Sequence, residues 1–139
     1  MFRFRSLLLL ITLLLTACGG APPPPDVPAF PGAAPLAPAD APQLAQALVG
    51  SFTLTLGGDR AAPAVQLFRV PSDTRWDAVK QHYTAPLAAA GWQPEPSILT
   101  EGDTFSYIGW TNGGRLFAVG LVEDTLGEGA YLTTATVTR

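Results

Sequence analysis

His82 is the only histidine in the chain, and imidazole is the side chain whose ordinary pKa lies near neutrality. Paired with Asp73 or Asp77 it would have the makings of a general base. On a helix beginning near Thr74, however, His82 falls at the border of the outer face, where a solvated side chain is expected. Cys18 is the only cysteine, so neither an intramolecular disulfide nor a thiolate metal cluster can form. A zinc site would then need mostly carboxylate ligands, a poor match to zinc. Glu101, Asp103, Glu123, Asp124 and Glu128 fall in loops and could gather at one end of a sheet. They lack the spacing of a calcium-binding loop, and a solvated acidic rim is expected. Ser51, Ser72, Ser97 and Ser106 sit in no nucleophile elbow. Gly57-Gly58 and Gly113-Gly114 read as turns and not as a phosphate cradle. No catalytic, cofactor or metal site is expected, and the chain is read as not an enzyme.

The aromatic residues offer a different chemistry. Trp76 is expected to face the core, and Trp92 to pack beneath the end of the helix. Trp110 lies near a hairpin tip, in the register opposite Phe105, Tyr107 and Gly109, so both faces of that strand are apolar. One face turns away from the helix unless residues 43–70 cover it. Left open, Trp110, Phe105 and Tyr107 would form a partner surface. The alternative expectation is a small apolar or lipid ligand held between helix and sheet, lined by Tyr83, Leu87, Phe117 and Val119.

The elements that would position these residues are legible to different degrees. Thr74-Arg75-Trp76-Asp77 has the form of a capping box. Behind it Trp76, Val79, Tyr83, Leu87 and Ala90 share a narrow helical arc, with Asp77, Gln81 and Thr84 outside it. Gly91 is the natural residue just past the helix. Pro86 interrupts the pattern, but the apolar arc keeps its phase, so a helix continuing through a kink is expected. Thr104–Trp110 and Arg115–Val122 flank Asn112-Gly113 and predict a hairpin. Ala130–Thr138 is a further strand, with Tyr131, Thr133, Ala135 and Val137 on one face. Val65–Val70 is another. Pro94 and Pro96 make the stretch to Leu99 irregular or an edge strand. Residues 43–49 suggest a short helical lead-in. Ser51–Leu56 alternates with a period of two, which predicts a half-buried strand carrying Phe52, Leu54 and Leu56 on its inner face. The class is α+β: a two-layer arrangement, an antiparallel sheet with one main helix packed on one face.

The first 42 residues are built differently. Arg3 and Arg5 precede an apolar run, Leu7–Leu15, and small residues follow, which is the layout of a secretory signal peptide. The run falls short of the roughly 20 residues that a spanning helix needs. Nine of the chain's fourteen prolines lie between Gly19 and Pro42. Proline removes an amide donor and fixes φ, so this stretch is expected to be an extended, disordered tether. Its 24 residues would reach roughly 75 Å at ~3.1 Å each. The domain boundaries expected are 1–17 for the signal peptide, 18–42 for the linker and 43–139 for the α+β domain. Without residues 1–17, six basic residues face eleven acidic ones, a net charge of −5. No basic stripe suits nucleic acid, and acidic surfaces adhere poorly to anionic lipid.

Leu15-Thr16-Ala17-Cys18 resembles the lipobox of bacterial lipoproteins residue for residue. That resemblance implies cleavage before Cys18, a lipidated thiol, and a palmitate-type acyl chain on the new amino terminus. It implies a membrane-anchored protein outside the cytoplasm, on the periplasmic face of an outer membrane or the outer leaflet of the cytoplasmic membrane. Gly19, in place of an aspartate after the cysteine, leans toward the former. The stretch Val70–Tyr83, continuing through Leu87-Ala-Ala-Ala-Gly-Trp92, resembles the helix of uncharacterised small bacterial lipoprotein domains, and carries over no catalytic residue. The function expected is a non-catalytic protein-binding or scaffolding module in the cell envelope. Its partners would be membrane lipid, through Cys18, and an envelope protein.

Overall fold

The computed structural model describes residues 25–58, 61–123, 127 and 129–138. In chain order the elements are β1 (Ala34–Pro35), α1 (Gln43–Gly57), β2 (Ala64–Val70), α2 (Trp76–Ala89), β3 (Gln93–Glu101), β4 (Phe105–Asn112), β5 (Arg115–Val122) and β6 (Ala130–Thr138). The six strands form one sheet in the order β1-β2-β6-β5-β4-β3, and every pairing is antiparallel. The expected α+β architecture, a helix laid on an antiparallel sheet, is the one found. None of the described helices is long and apolar enough to cross a membrane.

The helix α2 follows its sequence pattern closely. Trp76, Val79, Tyr83 and Leu87 are buried, Asp77, Gln81 and Thr84 are exposed, and Ala90, expected on the same arc, is exposed as well. The helix runs through Pro86 without a break. At its end Gly91 takes a φ of 82°, the amide of Gly91 donates to Ala88 and that of Trp92 donates to Leu87. These two bonds are the Schellman arrangement that a glycine just past a helix permits. The amino end departs from expectation. Arg75, not Thr74, is the capping position, and no side chain of the local sequence caps it. Instead Glu123, from the far end of β5, accepts the Trp76 amide at 2.8 Å.

The stretch read as a lead-in and a strand is a single helix, α1. Ala45, Leu48, Phe52 and Leu56 are buried at spacings of three, four and four, a helical stripe that outlasts the short period-two pattern of Ser51–Leu56. Leu54, which the strand reading placed beside Phe52 and Leu56, is 82 % exposed. Burial of a large stripe outweighs the strand preference of Thr53 and Thr55, since each buried Leu or Phe contributes about 1.5–3 kcal/mol.

The helices lie on opposite sides of the sheet. Leu116, Ala118 and Val122 of β5 pack with α1, whereas the intervening Phe117, Val119 and Leu121 pack with α2. The β6 residues alternate in step, with Tyr131, Ala135 and Val137 toward α1 and Ala130 and Leu132 toward α2. A strand covered on both faces reads as an almost unbroken apolar run, as β5 does. Contact between α1 and the sheet is close at Gly120, where an added Cβ would stand 2.5 Å from the Phe52 ring.

Two turns complete the frame. Asn112 pairs with Arg115, so the hairpin loop is Gly113-Gly114, one residue later than the Asn112-Gly113 turn expected. Gly113 supplies the positive φ, 59°, and Asn112 is free to donate its side-chain amide to Ala90 at the end of α2. The edge strand β3 shifts register between Glu95 and Leu99, beside its two prolines.

The proline-rich segment expected to run free as far as Pro42 is seated on the body from Pro25 onward. Val27, Phe30 and Ala33 pack on the α2 side, Leu36 and Ala41 on the α1 side, and between them β1 pairs with β2. Proline forbids propagated backbone bonding but leaves interspersed apolar side chains able to bury.

Candidate functional site

One concavity of the body lies beneath this seated segment. Residues 25–33 cross over the α2 side of the sheet and roof a cavity of about 150 Å³. Its floor is Phe68 from β2, Phe117 from β5 and Leu132 from β6, its wall is Tyr83 from α2, and Gln66 and Thr134 supply polar atoms. Each lining residue is placed by an element already described. The even-numbered members of β2 and β6 face α2, and Tyr83 projects from the buried stripe of the helix. Burial pushes the Tyr83 phenol up to about 12, against the opposing effect of a backbone hydrogen bond with Phe30, so its hydroxyl keeps its proton at any ordinary pH.

Of the four residues expected to line a space between helix and sheet, Tyr83 and Phe117 line this cavity. Leu87 and Val119 are fully buried elsewhere in the same core and do not reach the cavity. Sequence periodicity identified the helix face correctly but gave no sign of the roof, because Val27 and Phe30 stand in a stretch whose composition argued against packing.

His82 touches the roof as well. Its Nε2 lies 2.8 Å from the carbonyl oxygen of Pro28; a carbonyl can only accept, so the imidazole donates from that nitrogen. The ring also meets Phe30 edge to face, with centroids 5.3 Å apart, and Tyr83 at 4.9 Å. Asp77 is paired with Lys80, and neither it nor Asp73 bonds to His82. The arrangement positions a peptide segment.

The aromatic set singled out for partner binding is divided by the sheet. Trp110 is 1 % exposed, stacked against Phe117 at 6.2 Å on the α2 side, so it cannot serve as a free surface. Phe105 and Tyr107 face the other way and are half-buried beside α1, their rings 5.1 Å apart and Tyr107 5.9 Å from Phe52. Residues 43–57 thus supply the cover. Trp92, buried as expected, packs on Phe117 with the Arg115 guanidinium over its ring.

A second, open depression of about 440 Å³ gathers Arg75, Asp77, Glu101, Asp103, Ser106 and Glu123 around Trp76. Two of its carboxylates are bound into the structure. Glu123 receives the Trp76 amide and, at 3.2 Å, the Arg75 guanidinium. Glu101 receives the Trp76 indole at 3.0 Å and Lys80 Nζ at 2.7 Å. Its hydrogen bond from Lys80, then that from Trp76, lowers the Glu101 pKa, and the same contact raises that of Lys80. Among the described residues no group of three or more His, Cys, Asp or Glu side chains is placed to hold a metal ion. Asp124, Glu128 and Cys18 lie outside the described residues. Comparison with protein families, with curated proteins and with solved structures finds no match to this chain.

Proposed function

We propose that this chain is a lipid-anchored protein of the cell envelope, outside the cytoplasm, whose folded body is a non-catalytic binding module held close to the membrane surface. The observation that carries the proposal is Leu15-Thr16-Ala17-Cys18, a lipobox-like sequence behind a short apolar run, placed directly ahead of a folded body. Two or three acyl chains on one terminus give stable attachment where a single chain gives only reversible binding. Pro25 is seated on the body, and seven peptide links separate it from Cys18. Such a length spans no more than about 25 Å whatever its conformation, far less than the roughly 75 Å that a free tether to Pro42 would allow. The module therefore works at the headgroup layer, on a ligand or an envelope protein found there. The engagement of His82 with Pro28, and of Glu101 and Glu123 with the amino end of α2, favours binding over catalysis. Growth with an alkyne-bearing fatty acid tests the anchor: the chain should become labelled and sediment with membranes. Cys18→Ser should abolish the label and release the protein from the membrane fraction; unchanged sedimentation of an unlabelled chain would remove the basis of the proposal.

A further inference from the structure

The roofed cavity has the dimensions and lining of a small-molecule site. We infer that it binds a single-ring or similarly short apolar molecule carrying one hydrogen-bonding group, beneath the roof formed by residues 25–33. The class of ligand follows from size first. A volume of about 150 Å³ is that of a cavity able to hold benzene, and it leaves no room for an extended acyl chain. Lining comes second. Phe68, Phe117, Leu132 and the ring of Tyr83 make the interior apolar, while Gln66 and Thr134 offer the few polar atoms that orient a ligand.

The space persists because its roof cannot collapse into it. Pro25, Pro28 and Pro31 each fix φ, and the roof presents Ala29 and Ala33, side chains too short to fill the gap. Phe30, which also lines the cavity, is held against His82. Two side chains of α2 also hold the roof in place. His82 bonds to the Pro28 carbonyl and Tyr83 to the Phe30 backbone, and pairing with the sheet begins afterwards, at Ala34 opposite Arg69. Between these lies a turn in which the amide of Ala33 donates to Phe30 and Gly32 sits at a φ of 75°, close against Pro71. On the anchor reading above, Pro25 at the mouth lies within about 25 Å of the acylated thiol, so the bilayer, where such molecules partition, is the reservoir.

The test uses residues 18–139 carrying Cys18→Ser, which retain every described residue and need no detergent. Benzyl alcohol is titrated while amide and methyl NMR shifts are followed. Saturable shifts are expected at residues 27–33, 66–68, 83, 117 and 132–134, with none in α1, and n-dodecanol should produce no saturable shift there. Ala33→Leu fills the cavity from the roof and should weaken benzyl alcohol binding at least tenfold while leaving the α1 spectrum in place. Thr134→Leu, filling it from the floor, serves if the first variant does not fold. Absence of saturable shifts, equal affinity in the filled variants, or saturable binding of n-dodecanol at these residues would overturn the inference. Because the sample is lipid-free, each of these results is independent of whether Cys18 is acylated.

Discussion

Glu101 and Glu123 stand 25 and 47 residues from Trp76 in sequence, yet between them they take both of its N–H groups. As loop carboxylates they were expected only to form a solvated rim, and nothing local to either could reveal the partner. Their role is to end-cap α2 with negative charge at the positive pole of the helix. The lowered pKa of Glu101, caused mainly by Lys80, means that its contribution is present above the carboxylate range and is lost as pH falls through it. Gly120 makes the opposite case, a residue whose importance is the absence of a side chain. The Phe52 ring and the Leu48 side chain occupy the position where a Cβ would go. Gly120→Ala should lower stability by about 1–3 kcal/mol through overpacking, measured as a reduced midpoint in urea unfolding. An unchanged midpoint would mean that α1 does not rest on β5 as described.

At the scale of elements, α2, the β4–β5 hairpin and β6 were legible because each carries a long periodic pattern closed by a glycine with a defined job. Gly91 ends the helix and Gly113 turns the hairpin. The helix α1 was not, because Ser51–Leu56 satisfies two periods at once and the shorter one is easier to see. What decides between them is the wider stripe from Ala45 to Leu56, which only a helix can bury. Another clue was available: β5 is apolar on successive residues, the mark of a strand that needs cover on both faces. Truncation separates the two periods directly. Phe52→Ala should cost about 3–5 kcal/mol and Leu54→Ala less than about 0.5 kcal/mol, by thermal or urea unfolding. Comparable losses at the two positions would restore the strand.

At the scale of the whole molecule, residues 25–42 are seated on the body where composition suggested a free tether. Residues 25–42 wrap from the α2 side, past the sheet edge, to the α1 side. Composition misjudged this segment because it counts backbone bonds that proline cannot make. The burial of Val27, Phe30, Ala33 and Leu36 needs none of them. The same wrap roofs the cavity on which the ligand inference rests, and it shortens the proposed tether from a long spacer to seven links. On the proposed anchoring, the body and its cavity come within reach of the membrane surface. Everything proposed about place and role depends on that thiol, and intact mass spectrometry of the mature protein tests it most directly. The account predicts a chain that begins at Cys18 and carries a thioether-linked diacylglyceryl group; a chain beginning elsewhere, or an unmodified Cys18, would contradict it.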